Sequence, residues 1–362
     1  MKLVIFGLTI SSSWGNGHAT LWRGLCRGLA ELNHSVVFFE RNQPYYAAAR
    51  DFTHSDDFKL VIYEDWAETS ALARKELADC DAAIVTSYCF DACEAASLVC
   101  DSRAVSVFYD LDTPVTLATL SDRRPNYIPE RGLSDFDLVL SYSGGASLDL
   151  LRDRLDARRV APLYGHADPE VYARVAPVED YKADLSYLGT YAADRQSSLE
   201  CLFVDVARRR PQMRFCIGGA QYPPDFPWAD NIHFVRHTPP SLHAAFYSSA
   251  RLQLSVTRRH MATSGYSPSG RLFEAAACGA PVITDWWEGL DLFFRPGVEV
   301  LVARSTEDVL DALDCSDAEL SAIARAGQAR VLSTHTSAHR ARALVAALES
   351  ASASRPAKLE DA

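Results

Sequence analysis

Short hydrophobic runs alternate along this chain with longer segments whose apolar positions recur every three to four residues. The runs predict strands, and the helical recurrences predict amphipathic helices between them. In the first half the runs at 2–8, 35–40, 59–63, 82–86, 104–109, 138–142 and 160–163 read as strands. Helical patterns lie between most of them, for example at 20–32 and 67–78. Such alternation is the pattern of a parallel sheet with helices on both faces. Periodicity then fades through Gly165-His166-Ala167-Asp168-Pro169 and Ala176-Pro177-Val178-Glu179-Asp180, which reads as a connection. A second alternation follows, with strands at 185–190, 214–217, 233–235, 252–256, 282–284 and 300–303, and a helix-rich stretch from 318 to about 350. The expected organisation is a first domain at 1–168, a connection at 169–184, a second domain at 185–334, a last helix at 335–350 and a flexible tail at 351–362. The fold class is α/β, with two Rossmann-like, doubly wound domains.

Composition narrows the class. A chain of 362 residues accommodates about two domains, and 48% hydrophobic residues suffice for packed cores. A formal net charge of -11 argues against nucleic acid as a partner, so Arg258-Arg259 and Arg208-Arg209-Arg210 read as local sites or solvated faces. Nine scattered cysteines, with no Cys-x-x-Cys pair and no histidine at ligand spacing, read as reduced residues rather than a metal or disulfide framework. The apolar start, Met1 to Phe6, reads as a strand rather than a leader, and no run approaches the length of a membrane span. The expected compartment is the cytoplasm.

The richest chemistry lies in Ser267-Pro268-Ser269-Gly270-Arg271-Leu272-Phe273-Glu274-Ala275-Ala276-Ala277-Cys278-Gly279-Ala280-Pro281-Val282-Ile283-Thr284-Asp285. It reads as loop, short helix, glycine stop and buried strand, with Ser269 or Ser267 as cap. A helix start offers free N–H groups and partial positive charge to a phosphate. Arg271 in the first turn adds a guanidinium, and Glu274 one turn on supplies an acceptor for ribose hydroxyls. That combination describes a nucleotide-sugar pocket.

The same stretch resembles the donor-binding segment of GT-B glycosyltransferases, in particular the spore-maturation-protein CgeB-like branch of the group 1 transferases. Three further stretches carry the resemblance: Leu185-Ser186-Tyr187-Leu188-Gly189-Thr190-Tyr191 with Asp194-Arg195, Tyr109-Asp110-Leu111-Asp112-Thr113-Pro114-Val115-Thr116, and Asp285-Trp286-Trp287-Glu288-Gly289-Leu290. It covers nearly the whole chain. It implies two domains facing across a cleft, with the last helix crossing back onto the first. Many relatives carry two glutamates eight positions apart, the second matching Glu274; the first would fall on Tyr266. Recognition of the donor sugar therefore does not transfer from them.

The remaining candidates sit at expected strand ends. Gly15-x-Gly17, with Glu40 ending the next strand, is a partial dinucleotide fingerprint, but six residues separate Leu8 from Gly15 and Thr20 replaces the third glycine. The long loop better suits phosphate or acceptor contact. His18 opens the next helix and is a candidate base, or it simply packs the helix start. Asp110 and Asp112 form an Asp-x-Asp pair, a metal motif of the other major transferase fold; here Asp110 is a candidate for orienting His18, binding acceptor hydroxyls or acting as base, and Asp112 for a site or structural role before a cap at Thr113-Pro114. For the donor, Gly189, Thr190, Tyr191 and Arg195 end the first strand of the second domain, and Gly218-Gly219 end the next. Arg258 and Arg259 follow a later strand and would stabilise the leaving diphosphate in place of a metal, together with Ser269, Gly270, Arg271 and Glu274. Trp286-Trp287 either stacks on a sugar or packs the domain.

The expected activity is metal-independent transfer of a sugar from a nucleoside diphosphate donor, UDP or similar, to a small-molecule or glycan acceptor, with no further cofactor. A nucleotide-sugar epimerase on the same fold, or a non-catalytic nucleotide-sugar-binding or spore-coat protein, are the competing readings.

Overall fold

A computed structural model describes residues 1–355. Thirteen strands form two all-parallel sheets. The first comprises β1 (Lys2–Gly7), β2 (Ser35–Arg41), β3 (Lys59–Tyr63), β4 (Ala82–Thr86), β5 (Val105–Asp110), β6 (Leu138–Ser141) and β7 (Val160–Pro162), in the order β3-β2-β1-β4-β5-β6-β7. The second comprises β8 (Ala183–Leu188), β9 (Phe215–Gly219), β10 (Ile232–Arg236), β11 (Ala250–Ser255), β12 (Val282–Asp285) and β13 (Leu301–Ala303), in the order β10-β9-β8-β11-β12-β13. The expected α/β class is found, with each strand within a few residues of its hydrophobic run. In each sheet the chain starts in the middle, winds one way and then reverses, between β1 and β4 and between β8 and β11. Such a reversal opens a crevice at the carboxyl ends of the strands.

The central strands bury both faces, which is why they read as continuous apolar runs. Leu3, Val4, Ile5 and Phe6 of β1 are all fully buried. The first core gathers Val4, Phe6, Phe39, Val85, Phe108 and Val139; the second gathers Leu185, Phe203, Phe215, Ile217, Leu252 and Ile283.

Chain contacts divide the protein into two units. The first holds Met1–Ser12, Leu25–Tyr164 and the described residues from Ala338 onward; the second holds Ser13–Gly24 and Gly165–Ser337. The expected division at 168 thus differs in one respect: the loop after β1 groups with the second sheet. The expected helical tail is two helices, Asp317–Thr334 and Ser337–Ala353. The second runs past the expected end at 350, and the rest of the expected tail, 356–362, lies outside the described residues.

Two local expectations are corrected. The helix Thr113–Thr119 takes Asp112, not Thr113, at its N-cap position, and the Thr113 hydroxyl instead meets Ser141 Oγ at 2.7 Å. Ser269 occupies the N-cap position of the helix Gly270–Ala277, yet its hydroxyl makes no cap bond. The stop is as expected: Gly279 adopts φ +67°, and the Ala280 N–H reaches back to Ala275 O at 3.2 Å.

Candidate functional site

In the first unit, Glu40 does not face a nucleotide. It is 1% exposed and accepts from the Ile10 N–H at 2.8 Å, the Ser11 N–H at 2.9 Å and the Ser11 hydroxyl at 2.5 Å. A carboxylate so engaged pins the first loop, and its burial keeps a ribose away, so the dinucleotide fingerprint is structural. Asp110, the last residue of β5, is wholly buried. Its Oδ1 accepts from Thr116 Oγ1 at 3.0 Å and the Asp112 N–H at 3.2 Å, while its buried Oδ2 has no partner. Burial pushes its pKa up to about 7, against the pull of the Thr116, Asp112 and Ser87 hydrogen bonds. Asp112 Oδ2 accepts from Tyr88 Oη at 3.0 Å. Among the described residues no three His, Cys, Asp or Glu side chains gather as a metal group.

In the second unit a narrow cavity of about 30 Å³ opens at the carboxyl ends of β8, β9 and β10. Gly189 and Thr190 bound it after β8, Gly219 and Ala220 after β9, and His237 and Thr238 after β10. Ser13, Gly15, Asn16 and Thr20 close it from the loop grouped with this unit, and Arg271 and His243 reach it from two helices. Backbone geometry explains the glycines. Gly219 has φ +154°, and a Cβ there would run into Gly189 O. Gly15 has φ +62° and lies close to Gln221, so a side chain would disturb the loop's approach. His237 also holds a left-handed backbone, φ 55°, with its ring 4.7 Å from that of Trp14.

Behind the cavity lies a buried polar network. Glu274, 4% exposed, accepts from Arg271 Nη1 at 2.7 Å and Tyr247 Oη at 3.2 Å through Oε2, and from Thr20 Oγ1 at 3.3 Å through Oε1. Burial alone would raise its pKa; the Arg271 charge, with further help from hydrogen bonds, lowers it instead. His243 is 3% exposed. Its Nδ1 lies 3.1 Å from Arg271 Nη1, and its Nε2 lies 3.0 Å from Thr238 O. Arginine only donates and a carbonyl only accepts, so Nδ1 must be the acceptor and Nε2 must carry the hydrogen. Burial and the Arg271 charge push its pKa down to about 3, which keeps the ring neutral.

The structure brings only some of the sequence candidates to this cavity. Gly189, Thr190, Gly219 and Arg271 line it; His18, Tyr191, Gly218, Arg195, Arg258, Arg259, Ser269, Gly270 and Glu274 do not. Arg195 donates to Tyr187 Oη at 2.9 Å, and Gly189 leaves room for that hydroxyl, which would lie 2.5 Å from an added Cβ. Its buried Nε has no partner. Arg258 pairs with Asp194 at 3.2 Å, and Arg259 is exposed. Gly218 is needed for packing, because a Cβ would press on Phe246, Leu188 and Thr238 at 2.8–2.9 Å. His18 is half-buried at its helix start, and its N–H meets Asn16 Oδ1 at 3.1 Å. Sequence reasoning missed His237, Thr238 and His243. The first two follow a predicted strand end, a signal available in the sequence; His243 sits mid-helix with no motif around it.

Residues 195–346 match the family model described as glycosyl transferase-like. The architecture is shared with sucrose-phosphate synthase from Thermosynechococcus elongatus, at TM-score 0.72 and 14% identity, covering 98% of this chain and 100% of that one. The chain has the GT-B fold, and its residues 195–346 are similar to glycosyl transferases. An alpha-glucosyltransferase in complex with UDP-glucose and DNA containing an abasic site matches this chain at TM-score 0.71 and 11% identity, over 96% of this chain and 99% of that one. Anabaena HepE in complex with UDP and glucose matches at TM-score 0.64 and 12% identity, over 97% and 100%. A search of curated protein sequences gave no significant match. The region matched by the family model holds Arg271, Glu274 and His243, but not the loop Ser13–Gly24 or Gly189.

Proposed function

We propose that the cavity takes the nucleoside diphosphate part of a nucleotide-sugar donor, UDP or similar, and that the protein passes the sugar to a glycan or small-molecule acceptor. The observation that carries this reading is the meeting of bare backbone at Gly15, Gly189 and Gly219 with the Arg271 guanidinium, at strand ends beside the reversal in strand order. Glycine backbone admits close approach, and a planar guanidinium suits phosphate oxygens. Glycosyltransferases of the same fold in complex with UDP or UDP-glucose support the choice of nucleotide. Glu274 has spare acceptor capacity on Oε1, which holds only the long Thr20 bond, so a ribose hydroxyl can replace it. Arg195, with its idle Nε, and Arg258, Arg259, Ser269 and Gly270 extend the proposed diphosphate site, with Tyr191 and Gly218 shaping its wall.

In the transfer, the bond between the anomeric carbon and the diphosphate oxygen breaks and a bond to the acceptor oxygen forms. The acceptor proton passes to a base, for which His18 and Asp110 are the candidates. A carboxyl with a pKa near 7 is suited to exchanging a proton at neutral pH. Asp112 takes a supporting place beside Asp110. Arginine and the helix start neutralise the leaving diphosphate, so no metal is required. The acidic balance, net charge -11, supports a non-nucleic-acid acceptor. The quoted motifs support placement in the CgeB-like branch, and the scattered cysteines support a cytoplasmic location.

The test is a thermal-shift titration with UDP, GDP, ADP and their glucose conjugates, since a ligand that binds only the native state raises its stability. At least one should raise Tm, and Arg271→Ala should weaken that ligand about tenfold or more. No shift with any of them would overturn the reading. Donor turnover should persist after EDTA; loss that Mg²⁺ or Mn²⁺ restores would overturn metal independence.

A further inference from the structure

A second opening in the same unit has chemistry of its own. It lies where β12 and β13 end, has a volume of about 410 Å³, and is lined in part by Ser197, Ser198, Cys201, Asp285, Trp286 and Arg304. None of these lines the cavity described above.

Adjacent tryptophans have opposite fates here. Trp287 is 1% exposed and packs against Phe293, its ring centroid 5.8 Å away. Trp286 is 49% exposed. The packing role of the pair is therefore met by Trp287, and the indole of Trp286 is left facing the groove. Arg304 holds its guanidinium carbon 4.7 Å from the centre of that indole. A cation over one face fixes the ring while leaving it half open.

Asp285 supplies an oriented acceptor. Its Oδ1 takes the Thr257 N–H at 2.9 Å, the Thr257 hydroxyl at 3.0 Å and the Thr284 hydroxyl at 3.3 Å. Three bonds to one oxygen lock the carboxylate, and among the described residues no side chain donates to Oδ2. The Ser197 and Ser198 hydroxyls also line the groove.

We propose that this groove is a carbohydrate-binding site, separate from the donor cavity, that stacks one neutral sugar ring of a glycan on Trp286. A pyranose presents an apolar C–H face, which an indole accepts, and a rim of hydroxyls that both donate and accept. The rim finds Asp285 Oδ2 as acceptor, Arg304 as donor, and the serine hydroxyls as either. A phosphate or carboxylate ligand would meet the Asp285 charge, so the neutral sugar is favoured. The proposal does not require the donor cavity to bind a nucleotide.

The test is ligand-detected saturation-transfer NMR on the full chain with the methyl glycosides of glucose, galactose, mannose and N-acetylglucosamine, and with maltotriose. At least one should show transfer, with its strongest signals on C–H protons of one ring face. Trp286→Ala should abolish it, Asp285→Asn should weaken it about fivefold or more, and Trp286→Phe should restore part of it. Added UDP should leave the signal in place. Silence across the panel, a signal that survives Trp286→Ala, or displacement by UDP would each overturn the proposal. The thermal-shift titration reads the nucleotide site separately, so either reading can fail alone.

Discussion

β5 of the first sheet and β12 of the second hold the same place in the strand order, two strands out from β1 and β8, and each ends in an aspartate, Asp110 and Asp285. In both, burial raises the carboxyl pKa, and the counterweights are hydrogen bonds from threonine hydroxyls and backbone N–H groups. Neither is paired with a cation. Glu274 of the second unit is as deeply buried, yet its pKa moves the other way, because Arg271 lies 2.7 Å from it. Depth alone therefore does not decide which way the pKa of a buried acid moves; a neighbouring guanidinium does. The two units share a scaffold, but one places a nearly neutral acid at its strand ends and the other adds an ion pair.

The largest expected effect tests the first half of that contrast. Folded Asp110 keeps its proton up to about pH 7, whereas the unfolded chain releases it near 3.8. Between those values the native state binds more protons, so stability should fall as pH rises, by on the order of 4 kcal/mol in all. Urea unfolding of wild type and Asp110→Asn at pH 4.5 and 7.5 should show this slope in the wild type and lose it in the variant. Equal slopes would mean that the buried acid is charged after all.

Arg271→Ala attacks the other half. It strands the Glu274 charge in the interior and should cost about 3 kcal/mol at pH 7, the low end for a broken buried pair, because the arginine side chain is 27% exposed. Adding Glu274→Gln should recover most of that loss. If the double variant is no more stable than the single one, the ion pair is not what lowers the Glu274 pKa.

His243 gives a smaller effect of opposite sign to Asp110. Its folded pKa of about 3 lies below the ordinary 6.5, so the unfolded chain binds a proton that the folded one refuses. Stability should drop by about 2 kcal/mol as pH falls from 6.5 to 5, and His243→Gln should remove that component. Smallest is Thr20→Val, which deletes the 3.3 Å bond to Glu274 and should cost about 1 kcal/mol or less in the same unfolding assay.

The sheets were legible because buried parallel strands are continuous apolar runs, and runs such as Leu3 to Phe6 admit few other readings. Strand ends followed, and with them Gly189, Thr190 and Gly219 as residues at the mouth of the second sheet. What the sequence did not disclose was assignment in space. Nothing in Ser13–Gly24 says that a loop leaving β1 groups with the second sheet. Arg258 looks as available as Arg271 until Asp194 is seen beside it. The neutral state of His243 depends on Thr238 and Arg271, one five residues away and the other twenty-eight, and no local pattern links them. Glu40 misleads for the same reason, since a glutamate at a strand end looks alike whether it reads a ribose or holds a loop.

The return of the chain to its first unit sets an order on biosynthesis. The first unit takes in the described residues from Ala338 onward as well as its opening strands. Arg159 reaches Ala351 O, and Arg355 reaches Arg103 O and the Asp137 carboxylate. All seven strands of the first sheet leave the ribosome before the main segment of the second unit, Gly165–Ser337, but the helix Ser337–Ala353 that those contacts hold comes after it. A nascent chain must therefore carry an incomplete first unit through synthesis of that segment, with the helix-binding surface open to chaperones. Completion of the first unit in the cell then reports that translation has passed through the second.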